Sequence, residues 1–109
     1  MTFGRTAELA PYLVRLGISH VYGSPIFQAE PNSNHGYDVT DNRVLDRKLG
    51  GDASFESMIA AFHDAGLRFI LDFVPNHMSA SPRNPYWRDV LEWGQASDYA
   101  PFFDIDWSA

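Results

Sequence analysis

The chain has 109 residues, 45% of them hydrophobic and 20% charged, with no cysteine and a formal net charge of −6 at pH 7. That length and composition suit one small folded domain, or part of a larger one, and exclude a disordered chain. The acidic balance and scattered Lys and Arg exclude a phosphate-neutralising nucleic-acid surface, the missing cysteines exclude disulfides and thiolate chemistry, and no apolar run reaches a membrane span.

Residues 6–16 carry Leu9, Leu13 and Leu16 at helical spacing, which predicts a helix capped by Thr6 and stopped at Gly17. Pro11 inside it predicts a kink or a later start. Ile18-Ser19-His20-Val21-Tyr22, followed by Gly23-Ser24-Pro25, reads as a strand. Residues 23–51 show no periodicity and many turn formers, so they read as one long irregular connection of the kind that carries function. Ser54 is the expected cap of a second helix with Phe55, Met58, Ile59 and Phe62 inward and Gly66 at its exit. Leu67 to Phe73 is an almost unbroken apolar run, the pattern of a parallel strand buried on both faces. Asn84-Pro85 then opens a third helix, with Tyr86, Val90 and Leu91 inward and Gly94 closing it. Strands alternating with helices predict an α/β fold built on a parallel sheet. Two strands are too few to complete one, and periodicity does not choose between a closed barrel and an open sheet.

Two segments carry polar groups that suit a polyhydroxylated ligand. Asp72-Phe73-Val74-Pro75-Asn76-His77 ends the second strand, where parallel α/β folds place their sites, and its carboxylate, amide and imidazole donate and accept in several directions. His35-Gly36-Tyr37-Asp38 lies in the long connection, with a ring able to meet the C–H face of a sugar and a carboxylate able to accept from hydroxyls. The plainer reading is that these groups satisfy turns and pack. His20 and His63 read as packed or surface histidines, and Asp104 and Asp106 as one polar face of an extended segment. Packing is the ordinary role for Trp87, Trp93 and Trp107. Arg43, Arg47 and Lys48, interleaved with Asp41 and Asp46, read as a solvated face. No His or Cys spacing specifies zinc, and too few oxygens converge for calcium. No cofactor or metal is expected.

Together these motifs resemble the α-amylase superfamily (glycoside hydrolase family 13). Asp72 to His77 resembles its first conserved region at the third barrel strand, and His35 to Asp38 the segment after the second strand. Ile18 to Phe27, Leu49-Gly50-Gly51, Val74 to Met78, Asp89 to Gly94 and Phe102 to Trp107 resemble, in that order, the maltooligosyltrehalose synthases within it. The resemblance implies that residues 1–109 are part of a catalytic (β/α)8 barrel, roughly its second and third β/α units and a following helix, with the first strand and the later strands outside. It implies a maltooligosaccharide or α-1,4-glucan substrate and an intramolecular transglucosidase that converts the reducing-end α-1,4 linkage to an α,α-1,1 trehalose linkage. Tyr37 would be the stacking platform and His77 a hydrogen-bond partner near the cleaved bond. Asp38 and His35 would line the same subsite, and Asp72 and Asn76 would brace the strand end. In some relatives the position of Asn76 also serves calcium, which is not expected in this branch. No catalytic carboxylate of the family falls within these residues, so an amylase-type hydrolase or sucrose-type parent, or an inactive truncated product, stays open. With no apolar leader at its start, the chain is expected in the cytoplasm.

Overall fold

The structure is a computed structural model describing residues 1–109. The N-terminal helical region is two short helices, α1 (Phe3–Glu8) and α2 (Ala10–Arg15). Thr2, not Thr6, caps α1, its hydroxyl accepting from Arg5 N at 3.3 Å. The break falls at Leu9 because Pro11 has no amide hydrogen to continue the ladder, and it sits instead in the first turn of α2. This rotation takes Leu9 and Leu16 out of the core, leaving them 37% and 58% exposed.

Strand β1 (His20–Gly23) pairs in parallel with β4 (Arg68–Leu71), with Tyr22 opposite Ile70 and Gly23 opposite Leu71. Between them the chain is not irregular throughout. Strands β2 (Phe27–Ala29) and β3 (Val39–Leu45) form an antiparallel pair, followed by a 3-10 turn (Arg47–Leu49) and helix α3 (Gly51–Asp64). The pair escapes a periodicity search because β2 is three residues long and its register shifts on both sides of Gln28. Gly50, at φ 125°, is the α3 cap, and Ser54 is not. The last helix, α4 (Pro85–Trp93), starts where expected. Asn84 accepts from Tyr86 N and Trp87 N, and Tyr86 and Val90 are buried, but Leu91 is 58% exposed.

The main core joins Phe3, Ala10, Ile26, Met58, Phe62 and Leu67 under the face of the β1–β4 pair that carries Val21 and Phe69. Met58 and Phe62 are each 1% exposed, and truncating such a Phe costs about 3–5 kcal/mol. A second cluster at the other end stacks Tyr86 against Tyr99 and Phe102, with centroids 5.0 and 5.3 Å away. Arg43 ties β3 to it, holding Asp41 by two bonds of 3.0 Å while its guanidinium lies 4.8 Å over the Tyr86 ring. That ion pair holds the Asp41 carboxyl below the usual carboxylate range.

With two separate clusters, the molecule measures 58 × 21 × 20 Å, and its radius of gyration is 17.4 Å against about 13 Å for a compact domain of this length. The apolar strand is shorter than its sequence suggested and is covered on one face only. Ile70 remains 46% exposed because no further strand or helix lies against it, while Phe73, 53% exposed, meets only the edge of the Phe27 ring at 6.0 Å. No closed barrel forms within these residues. No helix is long and apolar enough to cross a membrane.

Candidate functional site

The two parallel strands run in one direction, so their carboxyl ends meet at one end of the molecule. Asp72 N donates to Gly23 O at 3.0 Å and locks the exit of β4 beside that of β1. Side chains alternate along a strand, so Tyr22, Ile70 and Asp72 share the face turned away from the core. The chain leaving β1 turns through Ser24, Pro25 and Ile26 into β2, and the β2–β3 connection brings Tyr37 back over Asp72. Gly36 makes this possible, since its φ is +80° and a Cβ there would lie 2.9 Å from Pro25 O.

The Tyr37 hydroxyl donates to Asp72 Oδ2. That bond, then the hydroxyl of Tyr22, holds the Asp72 carboxyl below its ordinary range, and the shared carboxylate pushes both phenols upward. Tyr22 was not singled out in the sequence, although its place opposite Ile70 and the strand alternation put it on this face. Asp72 therefore stays ionised and holds the Tyr37 ring in orientation.

His77 closes the other side. Its Nε2 lies 3.2 Å from Tyr37 O, and its Nδ1 2.8 Å from Asn76 Oδ1. A backbone carbonyl only accepts, so Nε2 carries the proton. In the neutral ring Nδ1 then accepts, and a half-turn of the Asn76 amide meets it with NH2. His35 stands behind Tyr37, its ring stacked at 5.8 Å and its Nδ1 accepting from Tyr37 N at 3.0 Å. Asp38 lies 4.0 Å from His35 Nδ1 and has a buried Oδ1 with no hydrogen-bond partner.

Tyr37, Asp72, Asn76 and His77 border one hollow of about 490 Å³, within the roughly 300–1,000 Å³ of small-ligand sites. His35 and Asp38 do not line it. Phe73, Trp87, Phe103 and Asp104 do. Trp87 packs on Phe103 at 5.0 Å, whereas Trp93 and Trp107, expected to pack, are 61% and 43% exposed. The sequence placed no ligand-facing role on Asp104, because only the return of the C-terminal segment past α4 brings it here. His20 is exposed beside Ser19, and Asp106 accepts from Ser108 in a local turn.

Residues 4–107 match the family profile of the α-amylase catalytic domain. A putative maltooligosyl trehalose synthase of Mycobacterium tuberculosis is 44% identical over 97% of this chain, which spans 14% of that relative. An intracellular maltogenic amylase of Bacillus subtilis is 37% identical over 86% of the chain, spanning 15% of the amylase. The solved maltooligosyltrehalose synthase of Arthrobacter ramosus superposes with a TM-score of 0.94 at 41% identity, over 98% of this chain and 14% of that one. The match runs through both motifs and the whole βαβ frame that carries them: this chain belongs to the α-amylase family and forms part of a catalytic domain of the (β/α)8 barrel class.

Proposed function

We propose that the chain supplies one wall of the glucosyl-binding cleft of a maltooligosyltrehalose synthase, within the second and third β/α units of its barrel. The observation that carries this reading is the convergence of the Tyr37 ring and the His77 imidazole on one hollow at the carboxyl ends of two parallel strands. A tyrosine face meets the apolar C–H face of a glucose ring, and a hydroxyl at its rim takes the place of the Asn76 amide on the His77 imidazole. Phe73, Trp87 and Phe103 keep the hollow apolar, which suits a transfer in which the freed glucose must outcompete water.

Retaining glycosyl transfer needs two carboxyl groups about 5–5.5 Å apart, one as nucleophile and one as acid/base. One oxygen of Asp72 already accepts from the Tyr37 hydroxyl. In this reading the nucleophile and the acid/base belong to other strands of the complete domain, and this chain binds and orients. The substrate is a maltooligosaccharide, and the parent reaction turns its reducing-end α-1,4 bond into an α,α-1,1 trehalose end by an intramolecular transfer.

The test is a chimera in which residues 4–107 replace the matching segment of the Arthrobacter ramosus synthase. Incubated with maltopentaose, it is expected to give a non-reducing, trehalose-ended product, and Tyr37→Ala in the same chimera to lose at least tenfold in kcat/KM, the scale of one lost stacking contact (~1.4 kcal/mol). Tyr37→Phe, which keeps the ring, is expected to lose less. Release of glucose or maltose as the main product would refute the synthase reading in favour of a hydrolase. Equal activity of Tyr37→Ala would refute the binding wall. The 109-residue chain alone is expected to turn over nothing.

A further inference from the structure

The hollow is built from two loops far apart in sequence, and its use as a subsite requires their separation to be held. One loop, residues 30–38, presents Tyr37; the other, residues 72–84, presents His77. Glu30 sits where they meet. Its Oε1 accepts from Ser79 Oγ at 2.5 Å and from Ser81 Oγ, and its Oε2 lies 3.8 Å from Arg83 Nη1. Its backbone N donates to Asp38 O at 3.1 Å, which closes the Tyr37 loop on itself. Ser79 N donates to Val39 O at 2.7 Å, a second stitch two residues from His77. The base of the first loop is held as well. Lys48 Nζ reaches Pro31 O at 3.0 Å, Ser33 O at 3.1 Å and Glu30 O at 3.4 Å.

We infer that Glu30 is a positioning residue: its carboxylate staples the loop that carries His77 to the loop that carries Tyr37 and so sets the width of the hollow between them. Glu30 does not line the hollow and acts through Ser79 and Ser81. The inference rests on the reading of Tyr37 and His77 as one glucosyl subsite. A carboxylate suits the task because one oxygen takes two hydroxyl donors while the other faces a guanidinium, so the bonds are charge-assisted and the joint is tighter than a neutral pair allows.

The staple is tested on the 109-residue chain at low concentration, by amide hydrogen exchange read by mass spectrometry and by maltotriose titration. Glu30→Ala is expected to lower the protection of the Ser79 amide about tenfold and to weaken maltotriose binding about tenfold, the scale of one lost charge-assisted hydrogen bond. Protection along α3 stays as in the unaltered chain. Glu30→Gln keeps an acceptor oxygen for the serine hydroxyls and is expected to recover most of both. Should α3 also lose protection in Glu30→Ala, Ser81→Ala, which removes one donor from the opposite side, carries the same test. Unchanged Ser79 protection in Glu30→Ala, or a Glu30→Gln variant no better than Glu30→Ala, would overturn the staple. If Ser79 responds as expected but the unaltered chain binds no maltotriose, the staple stands and the subsite reading falls.

Discussion

Replacing Asn84 by alanine removes two different interactions from one side chain, and a second variant separates them. Asn84 is fully buried at the entrance of α4. Its Oδ1 accepts from Tyr86 N at 3.0 Å and Trp87 N at 3.2 Å, while its Nδ2 donates to Ser79 O at 3.1 Å. The lost cap costs about 1 kcal/mol, and the Ser79 carbonyl left without its donor roughly another 1–3 kcal/mol. Asn84→Ala is therefore expected to lower unfolding stability by about 2–4 kcal/mol, in urea melts followed by tryptophan fluorescence. Asn84→Asp keeps the cap acceptor and adds a charge that favours a helix start. It also sets a carboxylate oxygen against the Ser79 carbonyl. Burial and that facing oxygen raise the carboxyl pKa of the variant. The sign follows: the protonated acid donates as Asn84 did, so its contribution is present at low pH and lost as pH rises through the raised value. Relative to the unaltered chain at the same pH, Asn84→Asp is expected to be weaker at pH 7 and to recover on acidification. An Asn84→Asp chain as stable as the original at pH 7 would show that the charge gained at the helix start offsets the lost Ser79 bond, and would refute the expected pH dependence. A cost below about 0.5 kcal/mol for Asn84→Ala would refute the cap argument too.

Two further outcomes follow from the same loops. Gly36→Ala places a Cβ against the Pro25 carbonyl at a φ of +80°, whereas Gly66→Ala, at +76°, meets nothing within 4 Å. Both carry the left-handed cost of roughly 1–2 kcal/mol, so urea melts are expected to show the larger loss for Gly36→Ala, and equal losses would mean that the Pro25 contact yields freely. Glu30 supplies the pH dependence. The Ser79 hydroxyl, then that of Ser81, hold its carboxyl below the ordinary range, with Arg83 adding to this and desolvation and Asp38 opposing it. A depressed carboxyl contributes fully above its unfolded value, about 4.3, and loses that contribution as pH falls through the lower folded value. Protection of the Ser79 amide relative to α3 is expected to drop in that acid window in the unaltered chain and to stay level in Glu30→Gln; the same drop in both would refute it.

Local chemistry made much of this molecule legible in its residues. Asn84-Pro85 announces α4, Met58 and Phe62 mark the buried stripe of α3, and the motifs at Asp72–His77 and His35–Asp38 resemble one family. Each is a short-range signal, written within a few residues by capping, periodicity or a turn. The joining of the two motifs was not written that way. Tyr37 meets Asp72 across 35 positions, His77 meets Tyr37 across 40, and Glu30 meets Ser79 across 49. The β2–β3 pair that performs the joining is too short and irregular to leave a period.

The sequence by itself determined the alternation of helix and strand, the apolar stripes and the residue types able to hold a sugar, because each depends on neighbours along the chain. Only the tertiary structure decided that Leu9, Leu16 and Leu91 face outward, that Tyr22 shares Asp72 with Tyr37, and that His35 and Asp38 stand behind the hollow and not within it. Those outcomes depend on strand register and on how each helix is rotated over the sheet. Both are fixed by packing between distant segments, where a single rung or a break at Leu9 changes which face a side chain takes.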